Sequence, residues 1–240
     1  MSFLEPDSPI HRDKLLERAL YLDLWAPHLP PGCRVLDLGG GIGRFTTWLL
    51  DQGCDVELVD PDLRSLWRAV SFAAGRQGRL DVHWSTGERM PQLPPFDAII
   101  ACEVLCYVED PARVIRRLAS MLKPAGALLI SVESRWGWAM AADAHPGSID
   151  AFFTGVVHVP GDVWVQTYTE THFRELLAPH FEIRTLLPSH YAFSGPFEIA
   201  SDVHRLTARE ALALEQRLRD HPVSRPLNRA WMAVAQRRNH

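Results

Sequence analysis

The stretch Val35-Leu36-Asp37-Leu38-Gly39-Gly40-Gly41-Ile42-Gly43 joins a short apolar run to a cluster of glycines. Residues 34–38 read as a buried strand and residues 44–52 as the helix after it. Glycines at such a strand-to-helix turn permit backbone angles closed to other residues and let a ligand approach the main chain. A turn with only a packing role uses the same residues, so the spacing and the acids beyond the loop have to decide. A dinucleotide fingerprint needs G-x-G-x-x-G, but counting from Gly39 puts Arg44 at the third glycine and counting from Gly41 puts Thr46 there. Both registers fail.

Two acids narrow the ligand. Asp60 closes the next apolar strand, residues 56–59, at the place from which a carboxylate accepts hydrogen bonds from ribose hydroxyls; a helix N-terminal acid is the bland alternative. Asp37 stands inside the first strand, where a buried carboxylate is costly unless a cation or several donors meet it. A cationic adenosine ligand without phosphate satisfies both acids better than NAD does.

Outward from this turn the chain alternates. Strands are expected at residues 80–84, 97–102 and 127–132, and helices at 63–74 and 111–122, before a Lys123-Pro124-Ala125-Gly126 turn. Thr169 is placed to cap a helix through about Ala178, residues 181–187 and 230–236 read as two late strands, and a helix over 208–219 lies between them. This alternation implies one doubly wound α/β domain with a largely parallel sheet, whose ligands bind beyond the carboxyl ends of the strands. That rule selects the loops after Leu38, Val59, Trp84, Cys102 and Val132.

Over residues 32–133, and more loosely to the C-terminus, the chain resembles the class I S-adenosylmethionine-dependent methyltransferases, in particular their small-molecule branch. The resemblance is carried by Asp37-Leu38-Gly39-Gly40-Gly41-Ile42-Gly43, by Asp60, by Phe96-Asp97-Ala98-Ile99-Ile100, by Glu103-Val104-Leu105-Cys106-Tyr107-Val108-Glu109-Asp110-Pro111 and by Leu122-Lys123-Pro124-Ala125-Gly126. It implies a Rossmann-like, seven-stranded, mostly parallel sheet with one antiparallel strand, in the order 3-2-1-4-5-7-6. The single domain would comprise a helical cap (1–31), a cofactor-binding core (32–133), a variable acceptor-binding and lid region (134–229) and a last strand with its tail (230–240).

It further implies that Gly39 and Gly41, with Gly40 and Gly43, pack against the methionine part of S-adenosylmethionine, and that Asp37 faces its amino end. Asp60 and Pro61 would meet the ribose, Thr86, Gly87 and Glu88 the adenine side, and Cys102 and Glu103 the amino acid moiety. Two departures stand out. Thr86 occupies the position where the family usually carries an Asp for the adenine amino group, and Cys106-Tyr107 stands where many relatives have a residue followed by His.

The expected activity is methyl transfer to a small, partly apolar acceptor, as an O- or N-methyltransferase of biosynthesis. A non-catalytic adenosyl-ligand binder of the same fold is the rival reading, followed by an RNA or protein methyltransferase. The net charge of -4 and the sequence Ala101-Cys102-Glu103-Val104, where base-amino methyltransferases carry an (Asn/Asp)-Pro-Pro-(Tyr/Phe) loop, count against nucleic acid. Any general base is sought in the C-terminal half, first at His190 and Tyr191, then at His158 and Tyr168. The aromatic residues Trp136, Trp138, Phe152, Phe153, Trp164, Tyr168, Tyr191 and Phe193 suit either core packing or an apolar acceptor pocket. Eleven histidines and four scattered cysteines show no ligand spacing, so no metal is expected. No apolar run suits a membrane span and the acidic start lacks a secretory signature, so a cytoplasmic monomer or homodimer without membrane or nucleic-acid partner is expected.

Overall fold

The computed structural model describes residues 11–140, 146–158, 164–193 and 195–238. In chain order these form α1 (His11–Trp25), β1 (Arg34–Leu38), α2 (Thr46–Asp51), β2 (Asp55–Asp60), α3 (Leu63–Ala73), β3 (Arg79–Trp84), β4 (Phe96–Cys102), α4 (Pro111–Met121) and β5 (Leu122–Glu133). The second half adds α5 (Arg135–Met140), α6 (Asp150–Thr154), β6 (Val156–Val157), β7 (Val165–Gln166), α7 (Glu170–Leu177), β8 (Phe181–Ser189), α8 (Glu198–Ser201), α9 (Ala208–Asp220) and β9 (Ala230–Arg237).

Seven strands make one sheet in the order β3-β2-β1-β4-β5-β9-β8. The two short strands β6 and β7 pair only with each other. With that pair set aside, the order is the expected 3-2-1-4-5-7-6. β9 runs antiparallel to both neighbours, and the other pairings are parallel.

The central strands read as nearly continuous apolar runs because both of their faces are covered. Leu36, Ile99, Leu128 and Ile130 point to one side, where Val114, Ile115 and Leu118 of α4 close the core. Val35, Ala98, Ile100 and Leu129 point to the other, against Tyr21 and Trp25 of α1 and Phe45, Leu49 and Leu50 around α2. Each such leucine or isoleucine contributes about 1.5–3 kcal/mol by leaving water. Side chains at the helix starts satisfy backbone donors: Asp62 on α3, Asp110 on α4, the expected Thr169 on α7, and a reciprocal Thr207–Glu210 pair on α9.

Two boundaries differ from the expectation. α2 begins at Thr46 rather than Arg44, because Gly41 and Gly43 hold positive φ values of 56° and 93° and keep the chain out of the helix. β5 begins at Leu122 rather than Ala127: residues 122–126 stay alongside β4 through a register shift between Phe96 and Ala98.

The turn leaving β8 is held by one buried carboxylate. Glu215 of α9 accepts the main-chain N–H groups of Tyr191 (3.0 Å), Ala192 (2.7 Å) and Phe193 (2.9 Å). Glu215→Ala leaves three buried donors without a partner, so urea unfolding is expected to show a loss of about 3–5 kcal/mol. Glu215→Gln keeps an acceptor oxygen and is expected to lose less than half of that.

Candidate functional site

The carboxyl ends of β1, β2, β3 and β4 open on a cleft of about 870 Å³. Ten of the residues implied for the cofactor line it: Gly39, Gly40, Gly41, Asp60, Pro61, Thr86, Gly87, Glu88, Cys102 and Glu103. Four separate loops bring them together, as the switch-point rule requires. The loop after β5 does not take part; Glu133 at its start is tied instead to Arg229 (2.8 Å) and to the Trp138 indole (3.0 Å).

Gly39 and Gly41 show why the loop needs glycine. Both have positive φ, 66° and 56°. A Cβ on Gly39 would lie 2.4 Å from the Val104 side chain, whereas one on Gly41 would meet no atom within 4 Å and would project into open space at the cleft. The loop is anchored to the neighbouring strand: Gly39 N–H donates to the Val59 carbonyl (2.7 Å) and Gly41 N–H to Asp60 Oδ2 (2.9 Å). Asp60 Oδ1 accepts from Asp62 N–H (2.8 Å). Burial raises the Asp60 pKa against these hydrogen bonds, and each oxygen keeps a lone pair for a further donor.

Asp37 does not face the cleft. It is buried, and its Oδ2 accepts both the Thr46 N–H (3.1 Å) and the Thr46 hydroxyl (2.7 Å), which ties it to the first residue of α2. Gly43 is also outside the cleft lining and turns the chain toward α2 beside Thr46 and Ala69. In the loop after β3, the Thr86 carbonyl accepts from Arg89 and Met90 N–H, and Glu88 accepts from Glu109 N–H at 3.1 Å.

Glu103 is the most constrained residue of the inner end. Its φ of 60° is a left-handed value for a non-glycine residue, and its N–H donates to the Ser131 carbonyl and hydroxyl, both at 3.1 Å. The buried Tyr21 hydroxyl donates to Glu103 Oε1 at 2.6 Å. Burial would raise the Glu103 pKa, but Arg44, His190 and the Tyr21 hydroxyl outweigh it and hold the carboxyl below the ordinary glutamate value. Arg44 donates to Cys102 Sγ (2.9 Å) and Glu17 (3.1 Å) and lies over the Tyr21 and Phe45 rings. Burial pushes the Cys102 thiol up to about 12, so it stays neutral. Sequence reasoning alone misses Arg44 and Tyr21. Arg44 sits directly after the glycines and is a readable signal, whereas Tyr21 comes from a helix whose docking only the tertiary structure shows.

The four residues considered for a general base are not brought together. His190 is buried with a φ of 61°, its Nδ1 paired with the Ser189 hydroxyl (2.9 Å) and its ring 5.2 Å from that of Tyr21. It stands behind the Tyr21–Glu103 pair and does not line the cleft. Tyr191 is fully buried, with its hydroxyl 3.5 Å from the Arg225 carbonyl. Tyr168 donates to the Leu105 carbonyl (3.0 Å) and lines a second hollow of about 390 Å³ that shares Glu109 and Asp110 with the cleft. Burial raises both phenol pKa values, which keeps them protonated near neutral pH. His158 is exposed at the end of β6. None of the aromatic residues expected for an acceptor pocket lines the cleft; Trp138, Tyr168, Tyr191 and Phe193 are core, and Phe153 is exposed.

Burial lifts the Asp37 pKa to about 6 against the pull of Thr46. The folded state therefore holds this proton more tightly than the unfolded chain. The stability linked to it is fully present below about pH 4 and is lost as the pH rises through about 6. Asn in its place keeps one oxygen for both Thr46 bonds and has no proton to lose. Between about pH 4 and pH 7, chemical denaturation is expected to shift in favour of Asp37→Asn over the parent protein by on the order of 3 kcal/mol.

A profile of the methyltransferase-domain family matches residues 10–179. A ubiquinone biosynthesis O-methyltransferase of Xanthomonas axonopodis pv. citri (strain 306) is 36% identical over 108 residues, 44% of this chain and 45% of that protein. The chain thus spans about half the length of the curated relatives it matches. A putative S-adenosylmethionine dependent methyltransferase from Listeria monocytogenes superposes with a TM-score of 0.65 at 17% identity, covering 93% of this chain and 99% of that one. The N-methyltransferase NodS from Bradyrhizobium japonicum WM9, solved with S-adenosyl-l-homocysteine, superposes at 0.57 and 17% identity, covering 98% and 90%. With the family match extending over most of its length, and with this sheet order, the chain belongs to the methyltransferase-domain family in its class I, Rossmann-like form.

Proposed function

We propose that the chain transfers a methyl group from S-adenosylmethionine to a hydroxyl of a small, partly apolar acceptor. The observation that carries this reading is the convergence of ten expected cofactor residues on one cleft whose inner end presents a fixed carboxylate, Glu103. The volume lies in the upper part of the range for small-molecule sites, which supports a cofactor and an acceptor side by side. The O-methyltransferase name of the curated relatives supports oxygen as the acceptor atom.

The residues fit the cofactor without rearrangement. The open face of Gly41 admits the methionine part against the main chain, Asp60 has lone pairs for the ribose hydroxyls, and Thr86 with Gly87 borders the adenine end. When bound, the cofactor supplies a methyl group already activated on a sulfonium. The protein's task is then to hold an oxygen nucleophile in line with that methyl and to exclude water. Glu103 has one oxygen fixed by Tyr21 and a second to receive the acceptor's hydroxyl proton as the oxygen takes up the methyl. His190 acts through Tyr21, packing against the ring that aims Glu103, and is a positioning residue rather than the base.

Calorimetry is expected to give low-micromolar binding of S-adenosylhomocysteine, about 8 kcal/mol, with no competition from NAD. Asp60→Ala is expected to weaken it by about 1–3 kcal/mol. Tight NAD binding without S-adenosylhomocysteine binding overturns the reading, and S-adenosylhomocysteine binding without turnover of any hydroxyl acceptor assigns a binding protein instead.

Glu103→Gln is expected to lower kcat about 100-fold or more, a loss larger than any accompanying change in S-adenosylhomocysteine affinity. Tyr21→Phe removes a hydrogen bond that holds the Glu103 pKa down, so the acid limb of its kcat profile is expected at higher pH than in the parent enzyme. A Glu103→Gln enzyme of undiminished kcat refutes the proton-accepting role.

A further inference from the structure

Half of the large apolar side chains exposed on the described surface gather at one edge of the molecule. They are Leu63, Trp67 and Val70 of α3 and Val82 and Trp84 of β3, and the two tryptophans are 69% and 70% exposed. Leu63, Trp67 and Val70 recur at helical spacing and form one stripe. Val82 and Trp84 alternate along β3 with Leu80, which packs against Leu66 and Ala69 of α3, so strand and helix stripes share one side of the sheet. The Trp84 indole donates to the Pro61 carbonyl (2.9 Å), which fixes its ring beside the start of α3. Scattered apolar side chains on a surface need no explanation, but a contiguous patch of this kind marks an interaction site.

β3 is also the terminal strand of the sheet. Its six residues, Arg79-Leu80-Asp81-Val82-His83-Trp84, contain no proline, and its two charged side chains, Arg79 and Asp81, pair with each other. A row of main-chain donors and acceptors beside an apolar stripe calls for a partner that supplies hydrogen bonds as well as apolar surface. A lipid surface supplies only the second.

We infer that this edge pairs with the same edge of a second copy of the chain, through an antiparallel β3–β3 contact with the two-fold axis at Val82. In that register Leu80 of each copy stands opposite Trp84 of the other, and Val82 opposite Val82. On the other side of the sheet Asp81 stands opposite His83, twice, by the symmetry. His83 already holds Glu57 at 2.5 Å within its own chain, so the opposing Asp81 continues an alternation of carboxylate, imidazole and carboxylate across the junction. The two α3 helices then flank the axis and bring Trp67 and Val70 of one copy toward those of the other. The two seven-stranded sheets become one of fourteen strands.

Sedimentation velocity of the full chain from about 1 to 100 µM is the test. The parent protein is expected to sediment as a dimer at the upper end of that range. Val82→Glu sets two like charges face to face and is expected to weaken dimerisation at least 10-fold. Trp67→Glu is expected to weaken it independently, with circular dichroism confirming that both variants fold. Val82→Cys is expected to form an intermolecular disulfide on mild oxidation, and to do so faster than Phe153→Cys at a more exposed position in α6, as a register placing Val82 at the axis requires. A monomer at 100 µM, a dimer indifferent to Val82→Glu and Trp67→Glu, or no cross-link at Val82→Cys overturns the proposal. A monomer that binds phosphatidylcholine vesicles through Trp67 also overturns it and assigns the patch to a lipid surface.

Discussion

The hydrogen bond from Gly41 N–H to Asp60 Oδ2, with its companion from Gly39 N–H to the Val59 carbonyl, ties the turn after β1 to the end of β2. The other parts of the cleft depend on that tie. The glycines rise out of the sheet with positive φ and deliver the chain to Thr46, where α2 starts and where the hydroxyl and N–H meet Asp37. The cleft lies over the loop because its glycine main chain leaves space that a side chain at Gly41 would occupy. Asp60 thus has two tasks. It fixes the shape of the site by accepting the Gly41 and Asp62 backbone N–H groups, and it keeps further lone pairs for a ligand.

The inner end is built on different physics. Removing charges from water is costly, and a buried ion pair adds little to stability against well-packed apolar side chains of the same size. Two clusters nevertheless sit side by side at the carboxyl ends of β4 and β5: Arg44 with Glu17 and Cys102, and Arg229 with Glu133 and Trp138. The guanidinium groups also lie over aromatic rings, Arg229 at 3.9 Å from the Trp138 centroid, which offsets part of the desolvation. Such clusters fix geometry more than they stabilise. Of the two, the Arg44 cluster borders the cleft, and its guanidinium helps keep Glu103 ionised.

The fold was legible in the sequence because periodicity and turn chemistry agree along the first half. Apolar runs at β1, β2, β4 and β5 are nearly continuous where both faces of the sheet are buried, broken by Asp37, Glu57 and Ser131, and Asp62, Asp110 and Thr169 announce helix starts. The cleft lining was legible for the same reason, since its residues lie within a few positions of strand ends. For Asp37 a sequence does not show which way a buried carboxylate turns; the hydroxyl nine residues on supplies one of its donors. The inner end of the cleft was not legible. It joins Tyr21 near the N-terminus to Glu103 and His190, residues that local spacing cannot connect. His190 and Tyr191 are sought because they follow the strand over 181–187, and His158 and Tyr168 because they lie on the chain returning from the loop after Val132; His190, Tyr191 and Tyr168 are buried.

Backbone strain links the two halves. Three non-glycine residues among those described hold positive φ, and two of them, Glu103 and His190, lie on either side of the Tyr21 ring. A left-handed non-glycine residue costs about 1–3 kcal/mol and persists only where surrounding contacts enforce it. For Glu103 the enforcing contacts are the Ser131 carbonyl and hydroxyl. For His190 they are the Arg229 N–H on its carbonyl and the Glu215 carboxylate on the next three N–H groups. Both strained residues leave the carboxyl edge of the sheet, one from β4 and one from β8, and Tyr21 is held where they meet. The C-terminal half therefore reaches the cleft through Tyr21, and the direction of the Glu103 carboxylate depends on α1, β4 and β8 together.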